Sequence, residues 1–319
     1  MSDITDLEWK IIDLLFRNAS LPLERIAREL GVGVEVVQET VSRLHSEGKI
    51  KKFSAVIDPE KVGFGETVYV FIESEENYPE IVLQATARAK DWGGVEAFYV
   101  TYGDKDAVVR IHIKNKVDLE NFMNNALMKV SWYGESETYR LTARIREWGI
   151  DYPLNAIPVK ALEQLDMRIL KELQADCRQR NGLVRLAKKL GTDQRELGTR
   201  IDYLEKTRTI RGYTVVLDTR KLGLVRSIMF LNVKRGQYDK VKDSLIKVED
   251  GTLKKNHFYI PFISSAPGPR YADMCLELLS QGLNHLDLLT DALRGTEGVK
   301  SSVIYLVAKV LIEDTCVPV

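Results

Sequence analysis

Apolar residues recur along the first sixty positions with a period near 3.6 and then, abruptly, near 2. Leu7, Ile11, Leu14 and Leu15 share one face of a predicted helix, and Leu23, Ile26, Ala27 and Leu30 share another. Gly31 and Gly33 break the second helix, because glycine takes the positive φ of a helix C-terminus at no steric cost. A third periodic run, Val34, Val37, Val41 and Leu44, stops at Gly48, and "KIKKFSAVID" follows in extended form with Ile50, Phe53 and Ala55 turned inward. Three short helices with a tight turn between the last two, followed by a strand, predict a winged helix-turn-helix.

Farther on the period-2 pattern dominates. "ETVYVFIE", "VEAFYVTY", "DAVVRIHI" and "TYRLTARIREW" read as strands, the last with Tyr139, Leu141, Ala143 and Ile145 on one face. "YPEIVLQATARAK", with Ile81, Ala85 and Ala89 on one face, and "VDLENFMNNAL" read as helices between them. The order is βαββαβ, a ferredoxin-like sheet carrying both helices on one side.

The whole pattern then repeats. "RTIRGYTVVLD" stands over "GKIKKFSAVID", pairing Ile210 with Ile50, Tyr213 with Phe53, Val216 with Val56 and Asp218 with Asp58 at one constant offset. The same offset pairs Leu204 with Leu44, Ile201 with Val41, Gly191 with Gly31, Ala187 with Ala27 and Gly223 with Gly63. In the first helix Ile169, Leu170 and Leu173 match Ile11, Ile12 and Leu15 two residues out of register, so a loop insertion precedes Leu183. Later segments supply a second βαββαβ set: "SIMFLNV", "YDKVKDSLIKV", "KNHFYIPFI", "ADMCLELL", "NHLDLLTDALR" and "SSVIYLVAKVLI". The expected class is α+β, a tandem duplication of a winged helix-turn-helix (residues 1–63 and 162–223) and a ferredoxin-like domain (64–148 and 224–319), joined by a linker at 149–161.

Charge separates the two copies. The chain has 46 basic and 46 acidic residues and a formal net charge of zero. Residues 1–63 hold nine Lys or Arg against eleven Asp or Glu, net −2, whereas residues 160–223 hold fifteen against nine, net +6. Local charge is what a polyanion meets. In the second copy Thr192 is expected to cap the third helix, with Asp193 at its positive end. The solvent face of that helix offers Gln194, Arg195, Thr199 and Arg200, with Arg208 and Arg211 on the following wing, a set suited to base edges and phosphates of double-stranded DNA. The first copy offers Glu35, Gln38, Glu39 and Thr40 there, with Arg43 one turn later, and its carboxylates repel phosphate.

Other chemistry is thinly represented. Cys177, Cys275 and Cys316 are too scattered for a disulfide framework or a zinc site, and the four histidines do not join them, so neither a metal nor a cofactor is expected. "MSDITDLEWK" lacks the basic start and apolar core of a signal peptide, and no apolar run reaches membrane-spanning length, so the expected location is cytoplasmic, with no membrane partner. An enzyme is not the expectation.

This domain pair resembles the Lrp/AsnC family of feast/famine regulators, here as two complete units. The marks are the spacing of Leu204, Ile210, Asp218 and Gly223, repeated at Leu44, Gly48, Ile50, Asp58 and Gly63, and the G-x-x-D turn of "TYGDKDAVV" at Gly103 and Asp106. The resemblance implies transcriptional regulation, pairing of the ferredoxin-like (RAM) domains within one chain or between chains, and a small-molecule effector such as an amino acid near Gly103, Asp104 and Asp106. The second RAM-like domain carries the longer "SSAPGPRY", with Pro267 and Pro269, at the matching place. Siroheme decarboxylases are similar in domain pair and give an alternative, for which Arg110 and His112 on one strand face are candidates, although a solvated pair is the expectation for them. A third option is a scaffold that works through protein contacts alone.

Overall fold

The computed structural model describes residues 4–74, 82–84, 87, 92–130, 133–151, 161–248, 259–266, 273–315 and 317. Most of the helix expected at 78–90, most of the linker and the loop from 267 to 272 lie outside the described residues. In chain order the elements are α1 (Asp6–Arg17), α2 (Leu23–Leu30), α3 (Val34–Ser46), β1 (Ile50–Ile57), β2 (Glu66–Ser74), β3 (Val95–Tyr102), β4 (Ala107–Ile113), α4 (Lys116–Phe122), β5 (Tyr133–Arg140), β6 (Ala143–Glu147), β7 (Ile150–Asp151), α5 (Gln164–Ala175), α6 (Leu183–Leu190), α7 (Gln194–Lys206), β8 (Ile210–Leu217), β9 (Leu224–Val233), α8 (Tyr238–Val248), β10 (Tyr259–Ser265), β11 (Met274–Gln281), α9 (Gly282–Arg294) and β12 (Val299–Glu313). The class is α+β, and it divides in an unexpected way. Met1–Val62 and Trp148–Gly223 form one compact unit; Gly63–Glu147 and Leu224–Pro318 form the other.

The first unit contains both helix-turn-helix segments. Capping boxes start α1, where Thr5 and Glu8 bond each other's backbone N–H, and α5, where Glu163 and Asp166 do the same. Helices α2 and α6 both end at a left-handed glycine, Gly31 (φ 68°) and Gly191 (φ 69°). The inserted residues before Leu183 form one 3-10 turn, Cys177–Asn181.

The strands β1 and β8 pair with each other, antiparallel, from Ile50 opposite Leu217 to Ile57 opposite Ile210. Neither strand could stay alone, since an unpaired ladder leaves backbone groups unsatisfied. Bonds between the copies come in matched sets. Ser54 Oγ donates to Gln174 O at 2.9 Å, and Thr214 Oγ1, its counterpart, to Phe16 O at 2.8 Å. Asp58 N donates to Thr209 O and Asp218 N to Lys49 O, both at 2.9 Å. The Lys221 ammonium reaches Glu47 O, and that of Lys61 reaches Thr207 O.

The second unit contains two four-stranded sheets of 4-1-3-2 order, β5-β2-β4-β3 and β12-β9-β11-β10, hydrogen-bonded edge to edge between β3 and β12 into one continuous ladder. They exchange their last strands. β12 pairs with β9 over Val299–Leu306 and then with β3 over Leu306–Glu313. β5 pairs with β2, and its continuation β6 pairs with β10. The exchange covers the edges at β3 and β10, which would otherwise present unpaired backbone groups.

Each sheet buries its outer face under helices. One such core joins Val68, Val70, Phe98, Val109 and Ile111 to Leu119 and Phe122; the other joins Met229, Leu231, Leu276 and Leu278 to Val241, Leu245 and Leu289. A third core lies between the sheets and draws on both halves: Tyr69, Phe71, Tyr99 and Tyr139 with Ile228, Phe230, Cys275 and Tyr305. The open faces expected from the sequence are covered by each other.

One backbone position sets the copies apart. Gly48 lies at φ 68° after α3, and its counterpart Arg208 holds φ 60° after α7. A side chain there costs roughly 1 kcal/mol. Arg208→Gly should therefore raise the thermal midpoint of this unit by about 2–4 °C, while Gly48→Ala lowers it. Differential scanning calorimetry reads both, and an unchanged midpoint in Arg208→Gly would show the strain to be absent.

Candidate functional site

Helix α7 is capped by Asp193, whose Oδ1 accepts from Arg195 N at 2.8 Å and Glu196 N at 2.9 Å. The expected cap, Thr192, instead donates its hydroxyl to Glu196 Oε2 at 2.6 Å. A carboxylate in that place answers two helix N–H groups and the helix dipole together. Gln194, Arg195 and Thr199 are exposed on α7, and Arg208 is exposed at the head of the wing.

The other two predicted basic residues are engaged within the protein. Arg200 bonds Glu163 Oε2 at 2.7 Å, Asp166 Oδ1 at 3.1 Å and Glu196 Oε1 at 3.1 Å. These bonds, led by that of Glu163, raise the affinity of its guanidinium for the proton, and the bonds from Thr192 and Arg200 lower the pKa of Glu196. Arg211 is buried in the wing ribbon, 3.7 Å from Asp58 Oδ2. A groove of about 620 Å³ lies between Glu163, Asp166 and the α7 residues Arg195, Thr199 and Tyr203.

In the first copy Glu35, Val36, Gln38 and Glu39 are exposed on α3. Thr40, expected on that solvent face, is 6% exposed and packs inward, and Arg43 reaches back to Glu8 at 3.4 Å.

A second polar assembly lies inside the other unit. Glu277 is 0% exposed in the middle of β11. Its Oε1 accepts from Tyr69 OH at 2.6 Å and from Arg110 Nη1; its Oε2 accepts from Arg226 Nη1 at 2.7 Å and Tyr99 OH at 3.1 Å. Arg110 Nε donates to Glu96 Oε2 at 2.7 Å, and its guanidinium lies 3.6 Å from the centre of the Phe262 ring. Arg226 also meets Glu313. His112 Nε2 is 3.2 Å from Glu96, its Nδ1 is 2.9 Å from Thr67 Oγ1, and Thr67 Oγ1 accepts from Arg144 Nη2 at 2.7 Å. The solvated Arg110–His112 pair expected from the sequence is corrected: Arg110 is 0% and His112 3% exposed. A strand face covered by another sheet reads the same in sequence as one facing water until its neighbours are known.

The G-x-x-D turn closes the β3–β4 hairpin. Gly103 takes φ 142° and lies where a Cβ would come 3.3 Å from Tyr305. Asp106 Oδ2 accepts from Ser74 N at 2.8 Å, and in the second sheet Asp273 Oδ2 accepts from Val233 N at 2.6 Å. Both carboxylates close the end of a neighbouring strand. Asp104 is exposed, and Lys105 is buried between Glu73 (3.0 Å) and Glu137 (3.4 Å). A cavity of about 720 Å³ opens at the other end of β4, lined by Phe64, Trp92, Gly94, His112, Asp118 and Asn121 among others. Among the described residues no helix is long and apolar enough to cross a membrane.

No family model matches the chain. Over 122 residues it is 31% identical to the HTH-type transcriptional regulator FL11 of Pyrococcus furiosus, covering 38% of this chain and 78% of the regulator. Over 147 residues it is 26% identical to the uncharacterized HTH-type transcriptional regulator PH0140 of Pyrococcus horikoshii, covering 46% of this chain and 90% of that one. The siroheme decarboxylase NirDL has the same fold from end to end, with a TM-score of 0.62, 12% identity, and coverage of 97% of this chain and 93% of that one. The expectation that the chain is not an enzyme is overturned by this match, because the entire architecture, both units included, is one that an enzyme uses.

Burial, followed by the neighbouring Glu277, pushes the Tyr69 phenol well above its ordinary pKa of 10.0, and burial does the same for Tyr99. A phenol held protonated only when folded stabilises the fold fully below its unfolded pKa, and the contribution fades as pH climbs above about 10. Tyr69→Phe should cost about 1.5–3 kcal/mol at neutral pH, since a buried carboxylate loses a donor. Unfolding curves at pH 7 and 10.5 check both statements: the difference between wild type and Tyr69→Phe should not grow at the higher pH.

Proposed function

The chain belongs to the Lrp/AsnC family of HTH-type transcriptional regulators, and we propose that it is a tandem of two such units, binding double-stranded DNA chiefly through α7. The exposed set Gln194, Arg195, Thr199 and Arg208 carries this reading. It joins two phosphate-binding cations to two side chains able to hydrogen-bond base edges, on the third helix of a helix-turn-helix and the wing behind it. The α3 face, with Glu35 and Glu39, contributes little affinity in this reading. Arg200 and Arg211 act on DNA through α7 and the wing they brace, Arg200 by fixing α7 against Glu163 and Asp166.

We place effector sensing, in the same reading, at Gly103, Asp104 and Asp106, where a small amino acid could meet the exposed Asp104 carboxylate and backbone N–H groups. A ligand there acts by binding two arrangements of the paired sheets unequally. Thermal shift against the amino acids, with Asp104→Asn as the control that leaves the Asp106–Ser74 bond intact, tests it; stabilisation by none of them overturns the assignment.

A second reading rests on the end-to-end likeness to NirDL: binding and decarboxylation of a carboxylated tetrapyrrole. The cavity beside Trp92, Phe64 and His112 is the place for such a molecule, with Lys114 5.6 Å from the centre of the Phe64 ring. Titration with siroheme separates the readings, since a bound tetrapyrrole shifts its main absorption band and DNA binding does not.

For DNA, each phosphate contact removed flattens the plot of log affinity against log salt by about one unit. Arg195→Ala and Arg208→Gly should each weaken binding to genomic fragments and flatten that slope by about one, whereas Arg43→Ala leaves both nearly unchanged. Fluorescence anisotropy over a salt series measures this, and equal losses from Arg43 and Arg195 would contradict the assignment to the second copy.

A further inference from the structure

Apart from the inserted turn, where Arg178 lies 4.2 Å from the centre of the Phe53 ring, the contacts that join the two helix-turn-helix copies do not tell the halves apart. Lys61 and Lys221, Ser54 and Thr214, and Asp58 and Asp218 stand at matching positions and make matching bonds. The ion pairs match as well: Arg211 faces Asp58, and Lys51, its counterpart, lies 4.0 Å from Asp218. A pair made from two first copies, or from two second copies, would form the same set of bonds. The layer between the sheets is partly of this kind too, with Phe71 against Phe230 at 5.1 Å between ring centres and Tyr139 matched by Tyr305.

At the centre of that layer the match fails. Asp106 N donates to Ile72 O and Asp273 N to Leu231 O, which fixes the correspondence of β2 with β9 and of β4 with β11. Arg110 and Glu277 each lie four residues beyond their aspartate, so they hold the same position in the two halves, with opposite charge and in contact with each other. By the same register Tyr69, a donor to Glu277, is matched by Ile228, and Thr67 by Arg226.

We propose that Arg110 and Glu277 form a pairing code: the covered sheet face of the first half accepts the face of a second half, its own or that of another copy of the chain, and neither face accepts its own kind. Two first halves would set Arg110 against Arg110. Two second halves would set Glu277 against Glu277 and replace Tyr69 with Ile228, removing the donors that the first half supplies. A buried charge facing its like costs several powers of ten in association. Tyr99 OH, also from the first half, accepts from Arg226 Nη1 at 3.2 Å and donates to Glu277, so the second half's own arginine is oriented by the first half as well.

The full chain, with a protease site inserted between Asp151 and Ala161, is purified folded and then cut. It is mixed with an isotope-labelled batch treated alike, taken through a denaturant cycle and examined by native mass spectrometry. Pairs of a first with a second half should dominate, with each like pair below about 1% of the total. In Arg110→Met/Glu277→Leu, where the opposed charges at this matched position are gone while Arg226 keeps Glu313, like pairs should rise toward the random half of the total. Should that variant not fold, Glu277→Gln, which keeps the shape and the acceptor for Tyr69, should raise second-with-second pairs at least tenfold. Like pairs abundant in the wild type, or strict pairing retained in the variant that folds, would overturn the proposal.

Discussion

The carboxylate of Glu277 has no contact with water and four donors around it, three of which, Tyr69, Tyr99 and Arg110, come from the other half of the chain. Burying such a group alone costs several kcal/mol, and here the cost is offset only when the two sheets meet. The rest of the layer inherits this condition. Arg110 is placed by Glu277, Glu96 by Arg110, and His112 by Glu96 and Thr67. An apolar layer of the same volume would hold the sheets together at least as well, because well-packed hydrophobic substitutes for buried ion pairs are often neutral or stabilising. What the charged layer adds is a choice among otherwise similar partners, and in a chain built from two copies of one fold that choice has to be made.

The exchanged strands make the choice consequential. β12 leaves its own sheet at Leu306 to complete the other, and β6 completes the sheet that does not contain β5. In the other unit β1 pairs with β8. Each half therefore leaves strands unpaired until the second half arrives, and a tether between them keeps the correct partner at high effective concentration. The tether sets how often the right faces meet, and the buried charges set how firmly a wrong meeting is rejected.

Much of this architecture was legible in the sequence. The offset between "GKIKKFSAVID" and "RTIRGYTVVLD" pointed to a repeat, and helical spacing located α1 to α3 and α5 to α7, because local backbone preference and one buried face decide those elements. What remained hidden was set by residues distant in sequence. Period-2 alternation in "DAVVRIHI" and "ADMCLELL" shows which residues share a face but not whether that face meets water, so Arg110 and His112 read as solvated. Nothing in "ADMCLELL" marked Tyr69, Tyr99 and Arg226 as the partners of Glu277, since no feature of a strand shows which tyrosine finds a distant carboxylate. Likewise Thr192 and Asp193 are both capable caps, and only the turn geometry chose Asp193.

The two readers, in the proposed regulatory function, carry the same asymmetry outward. α7 exposes Arg195, whereas α3 exposes Glu35 and Glu39 around Val36. A pair of identical readers gains from a palindrome, because each half-site repays the same contacts. When the pairing code admits only unlike halves, every assembled molecule contains one basic and one acidic reader, and a second half-site of the same sequence adds little. The sequence preference of such a molecule is therefore expected to concentrate in one half-site, and the acidic helix is free to serve contacts with something other than the phosphate backbone.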